Sequence, residues 1–246
     1  MRRLFATGYA PVDGMDIYWE RHGSGGTPLV VVHGGFGLAG TLADLIARLV
    51  IGREVIALEL QAHGHTRNID RPFGYPVFGD DIAGVIGHLG IDRADLLGYS
   101  LGGAACLRTA IQHSECVRRL SVVSALCCRD GWFPEGREQM ASLDSRMAAQ
   151  MMRPTLYAAW SASSERTAFP RLMGKTADLL RAPYDWREEV GGLRLPALLV
   201  LGDADSISPA HAAEFFALLG GGLCDAGWDG AVRTQMRLAI LAGRTH

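Results

Sequence analysis

The stretch from Leu29 to Val32, Leu-Val-Val-Val, is an apolar run with no polar alternation. A strand of that kind must be buried on both faces, so it belongs inside a sheet covered by other elements on either side. The same demand returns along the chain, at residues 54–60 (EVIALEL), 94–100 (ADLLGYS), 119–126 (RLSVVSAL), 195–203 (LPALLVLGD) and 237–243 (RLAILAG). Helical segments separate these runs. Leu42, Leu45, Ile46 and Leu49 share one face of the first, and Ile82, Val85, Ile86 and Leu89 share one face of a second over residues 80–90, which ends at Gly90. Residues 101–114 and 209–220 supply two more, the latter with Pro209 in its first turn. Near the start, two extended runs flank Asp13-Gly14, a pair suited to the positive φ angles of a hairpin, which adds an antiparallel edge. Such alternation predicts an α/β fold, a mostly parallel β-sheet flanked by helices on both faces.

The rhythm breaks between Cys127 and Gly192, where no strong strand run occurs. A core in two parts, residues 1–126 and 193–246, interrupted by a helical cap over residues 127–192, is the organisation expected. Its apolar residues Met140, Met147, Met151, Met152, Tyr157, Trp160, Leu172, Met173, Leu179 and Leu180 either line a pocket beneath the cap or fasten it to the body. With 246 residues, 48% apolar and 20% charged, the chain suits a single large globular unit with an insertion. A formal charge of −2 argues against nucleic acid as a partner. No apolar stretch approaches the roughly 20 residues that span a bilayer, so no membrane association is expected. The opening MRRLFATGYAPVDG lacks the apolar run of a secretory signal, and the cytoplasm is the expected location. The five cysteines, Cys106, Cys116, Cys127, Cys128 and Cys224, have no paired spacing and suggest neither a disulfide frame nor a zinc site.

Residues 98–103, Gly-Tyr-Ser-Leu-Gly-Gly, stand between a strand run and a helix rich in small residues. Gly98, Tyr99, Ser100, Leu101 and Gly102 match G-x-S-x-G, in which the serine occupies a sharp strand-to-helix turn that lifts its hydroxyl clear of the sheet. The glycines are needed because side chains two residues before and after the serine would collide in so tight a turn. A serine hydroxyl is a weak nucleophile near neutral pH, so it needs a base, and the base needs an orienting carboxylate.

On these residues the sequence resembles the α/β-hydrolase fold superfamily over nearly its whole length. The resemblance implies a triad in the chain order Ser, Asp, His. It places the acid at Asp205 in LLVLGDADSISP; Asp203, past the end of the same strand, is the competitor, and Asp130 an outside candidate. The base is His246, because LAGRTH resembles the family's approach to its catalytic histidine and no other histidine follows the last core strand. Charge on the substrate oxygen is met by the backbone N–H of Leu101 and by one from the HGGF loop, Gly35 or Phe36, with His33 and Gly34 shaping that loop. In residues 60–67, LQAHGHTR, Gln61 and His65 stand where the family shows aspartate and glycine, which leaves the role of that loop open.

The function implied is acyl transfer from a small-molecule carboxylic ester, thioester or lactone to Ser100 and then to water, with no metal or organic cofactor. Carbon–carbon bond hydrolases and perhydrolases share the same triad, and Arg67, Arg129 and Arg137 could meet an anionic substrate. A homo-oligomer is possible but not indicated. The resemblance also implies a further helix after the catalytic histidine, whereas this chain ends on His246. That ending raises the expectation of a truncated chain or of a covering partner, and with it a rival from another class, a hydrolase-like binding protein without activity.

Overall fold

The structure is a computed structural model, and it describes residues 4–147 and 168–246. Two strands, β1 (Leu4–Val12) and β2 (Met15–His22), form the expected hairpin. Its turn places Asp13 at φ 46° and Gly14 at φ 77°, both in the left-handed region that such a tight turn demands. Then follow β3 (Leu29–Val32), α1 (Ala43–Leu49), β4 (Val55–Leu58), α2 (Tyr75–His88), β5 (Ala94–Tyr99), α3 (Leu101–Gln112) and β6 (Val117–Val123). The break in the rhythm holds α4 (Pro134–Ala141), α5 (Ala168–Arg181) and α6 (Arg187–Gly191). The chain returns to the sheet with β7 (Ala197–Gly202), α7 (Pro209–Leu218) and β8 (Arg237–Leu241).

One eight-stranded sheet runs in the order β1-β2-β4-β3-β5-β6-β7-β8. The pairings from β4 through β3 to β8 are parallel; β2 joins β4 antiparallel. All four residues of β3 and all four of β4 are buried, as a strand covered on both faces requires. One apolar cluster packs Ile82, Val85 and Ile86 of α2 and Leu107 of α3 on β3 to β6, and a second sets Ile46 of α1 against Val31, Val55 and Ala57 on the opposite face.

Several expected boundaries shift. The first helical face is broken by a 3-10 turn at Ala39–Leu42, so α1 is short, and Leu45 is exposed while Ile46 is buried. Regular strand in the run at 54–60 stops at Leu58, although the Glu59 N–H still donates to Tyr18 O, and the buried Glu59 carboxylate accepts the N–H groups of Ala39 and His65. The strand at 119–126 stops at Val123, where Ser124 takes φ 50°. Within the interruption, Leu172, Met173 and Leu179 are buried in packing, so they fasten α5 to the body, whereas Met140 and Leu180 line a cavity. Met151, Met152, Tyr157 and Trp160 lie outside the described residues.

Candidate active site

The turn from β5 into α3 puts Ser100 at φ 53° and ψ −118°. A β-carbon on Gly98 would collide with the carbonyl of Gly102, and one on Gly102 with the carbonyls of Val32 and His33. The turn is therefore closed to side chains at both flanks, and only the serine projects. Its N–H donates to Val123 O at 2.8 Å, which fastens the elbow to the neighbouring strand.

The Ser100 hydroxyl lies 2.7 Å from His246 Nε2, and His246 Nδ1 lies 2.9 Å from Asp205 Oδ1. A neutral imidazole whose Nδ1–H donates to the carboxylate leaves Nε2 free to accept from the serine, the arrangement needed to withdraw its proton. Burial by itself would raise the Asp205 carboxyl. The hydrogen bond from His246, the His246 charge and the Ile207 N–H outweigh it and hold the group below the ordinary carboxylate value.

The other two carboxylates go elsewhere. Asp203 accepts the Gly243 N–H at 2.7 Å, and Asp130 pairs with Arg137 at the surface. Asp203 thereby shapes the turn that delivers the histidine. The Asp203 N–H also donates to Leu241 O and the Ala204 N–H to Arg244 O, so residues 241–244 are tied to the loop that carries the acid. The rings of Tyr99 and Trp132 flank the imidazole with centroids at 5.5 and 5.7 Å. Trp132 pairs with Ile207, while Phe133 N–H donates to Ser206 O and Ser208 N–H to Gly131 O. The start of the interrupting segment is thus sewn to the Asp205 loop.

Leu101, at the first position of α3, has an N–H with no intrahelical acceptor, and Gly35 faces it across the same cavity. The Phe36 N–H, by contrast, donates to His63 Nε2 at 3.2 Å. His63 in turn donates through Nδ1 to Gln61 O at 2.9 Å. His33 repeats the pattern, with Nε2 accepting the Leu60 N–H and Nδ1 donating to Gly34 O. Burial lowers the basicity of both imidazoles, and for His63 the neighbouring His33 adds to it. Two neutral rings therefore brace the loop after β3. Gln61 joins them by bonding Asn68, Ile69 and Arg71, and Arg71 grips Asp81 with two bonds of 3.0 and 2.7 Å. The roles of His63 and Trp132 had no signal in the sequence beyond the position of the first in a loop after a strand.

A cavity of about 180 Å³ opens at Ser100. Besides the residues already named it is walled by Tyr75, Leu126, Leu143, Thr176 and Tyr184, and His246 is the only titrating side chain other than tyrosine among its described lining. Arg67, Arg129 and Arg137 are not part of that wall; Arg129 donates to Leu180 O and Arg137 to Asp130.

A family model described as "alpha/beta hydrolase fold" matches residues 27–159. The dihydrolipoyllysine-residue acetyltransferase component of the acetoin cleaving system of Pseudomonas putida is 30% identical over 83% of this chain, which spans 59% of that protein's length. The pimeloyl-[acyl-carrier protein] methyl ester esterase of Pectobacterium carotovorum is 26% identical over 86% of each chain. The structure is similar to the enol-lactonase of Burkholderia xenovorans LB400, with a TM-score of 0.68 at 20% identity over 95% of this chain and 90% of that one. With the family match running from β3 through the serine elbow, this chain belongs to the α/β-hydrolase fold family.

Proposed function

We propose that the protein is a serine hydrolase of carboxylic esters, thioesters or lactones with a small, uncharged acyl portion. The observation that carries this is the relay of Ser100, His246 and Asp205 at 2.7 and 2.9 Å, opening on an apolar cavity. In the reaction Ser100 Oγ attacks the carbonyl carbon while His246 Nε2 takes the hydroxyl proton and Asp205 steadies the imidazolium. The tetrahedral oxyanion is met by the N–H groups of Leu101 and Gly35; Phe36 is set aside because its N–H is engaged by His63. His246 then returns the proton to the leaving oxygen or sulfur. Water, deprotonated by the same imidazole, attacks the acyl-enzyme and releases the acid.

The substrate class follows from the wall. About six or seven carbon-sized atoms fill 180 Å³, given that an apolar cavity of about 150 Å³ holds one benzene. A lining without lysine or arginine among the described residues favours a neutral acyl group over a carboxylate-bearing one. The described parts of the segment between Cys127 and Gly192 serve as the lid, contributing Trp132, Met140, Leu143 and Thr176 to the pocket. Esterase activity of the Pectobacterium relative agrees with this reading.

The experiment is labelling of the folded protein with a fluorophosphonate, followed by mapping of the adduct, alongside a series of p-nitrophenyl esters of increasing acyl length. Modification at Ser100, lost in Ser100→Ala together with turnover, is the expected result. Folded protein that stays unmodified at Ser100 contradicts the proposal.

A further inference from the structure

Next to the substrate cavity but outside its described lining, two segments 83 residues apart bring together a second group of reactive side chains. Cys127 and Cys128 follow β6, and His211 stands in the first turn of α7. Cys127 Sγ lies 3.7 Å from His211 Nε2, and Cys128 Sγ lies 3.9 Å from Nδ1 of the same ring. All three residues are buried, and one donor atom from each lies within 4.8 Å of the others. Both sides are held from outside: the Trp186 N–H donates to Cys127 O, the Gly131 N–H to Cys128 O, and Ser208 Oγ accepts the His211 N–H. The second observation concerns the Nδ1 side of the ring, where Glu214 Oε2 approaches at 3.3 Å, closer than Cys128 Sγ at 3.9 Å. A carboxylate there holds the proton on Nδ1 and leaves the Nε2 lone pair facing Cys127 Sγ, as outer carboxylates do behind metal-bound histidines.

We propose that Cys127, Cys128 and His211 are a ligand set for one thiophilic d10 cation of the zinc class, with Glu214 as the outer carboxylate that orients the imidazole. Zinc bonds of about 2.3 Å to sulfur and 2.0 Å to nitrogen at a tetrahedral angle set sulfur and nitrogen about 3.5 Å apart. Cys127 Sγ and His211 Nε2 are within a few tenths of that, and Cys128 Sγ lies within 4.8 Å of Cys127 Sγ and 3.9 Å from the ring. Two sulfurs and one imidazole select soft cations over magnesium or calcium, which take oxygen ligands. Each thiol gives its proton to solvent as the cation binds, so a divalent ion and two thiolates leave the site uncharged overall. The Arg187 guanidinium beside the thiols is itself neutralised by Asp185 and Glu214. Spacing along the chain gave no hint of this group, because the two cysteines are adjacent and the third ligand lies on a distant helix.

The test uses the full chain in a Cys224→Ser background, which removes the exposed thiol, with Zn²⁺ and Cd²⁺ as probes. Expected is one equivalent of cation retained through gel filtration, with a thiolate-to-cadmium absorption band that disappears in Cys127→Ser and in Cys128→Ser. Glu214→Gln, a change at a half-exposed side chain, is expected to keep the fold and weaken Cd²⁺ affinity by about 10- to 100-fold. No cadmium band, or a band that survives both cysteine substitutions, overturns the site and leaves thiol–imidazole packing only. Unchanged Cd²⁺ affinity in folded Glu214→Gln overturns the orienting role on which the choice of Nε2 rests.

Discussion

A carboxylate that only orients an imidazole and one that only shapes a turn respond to substitution in different ways. Asp205→Asn presents an amide to His246 Nδ1 and favours the tautomer whose Nε2 carries the proton, so kcat for a p-nitrophenyl ester is expected to fall by about 10⁴-fold. Asp203→Asn keeps an oxygen for the Gly243 N–H, and its expected loss is under about tenfold. Steady-state kinetics of the two variants separates the roles, and the reverse ranking would make Asp203 the acid. His63→Ala leaves the Phe36 N–H without its acceptor in a buried setting, at a cost of about 1–3 kcal/mol in stability. If the braced loop holds the Gly35 N–H in place, kcat falls in this variant while KM stays close to its original value.

Among elements, α5 gives Thr176 and Leu180 to the pocket wall and is held to the body by its other face. Leu172 and Met173 sit in a small cluster with Leu38, Ala62 and Phe169, and Lys175 Nζ bonds Asn68 Oδ1 and the carbonyls of Ile69 and Arg71 at 2.7–2.8 Å. Leu172→Ala is expected to destabilise the protein by about 2–5 kcal/mol, read as a lower urea midpoint. The strands and helices legible in the sequence were those whose burial is uniform or strictly periodic. Leu29–Val32 is of that kind, Ser100 stands out by its glycine flanks between strand and helix, and His246 is named through the family resemblance of LAGRTH. What escaped depends on contacts between distant segments. The Glu59 carboxylate takes the N–H groups of Ala39 and His65, Ser124 turns out of β6 to give its N–H to Val200 O, and Phe36 gives its N–H to a histidine 27 residues away. Local pattern carries no trace of such partners.

For the molecule as a whole, the buried imidazoles tie stability to pH. His33 and His63 are neutral when folded and held below the ordinary value of about 6.5, so in acid the unfolded chain binds more protons than the folded one. Stability is therefore complete above about pH 6.5 and declines as pH falls below it, at up to about 1.4 kcal/mol per pH unit for each ring. Urea unfolding at a series of pH values checks this, and a midpoint that is flat from pH 7 to 5 contradicts it. Heat probes a different property. His246 is presented by β8, which among the described residues pairs only with β7 at the edge of the sheet and leaves Ile240 and Leu241 half-exposed. Such a strand opens at a lower free-energy cost than the central ones, and opening it removes the base while the rest of the sheet stays paired. Catalysis then reports a sub-global melting event: on warming, turnover is expected to vanish reversibly several degrees before the far-ultraviolet circular dichroism changes.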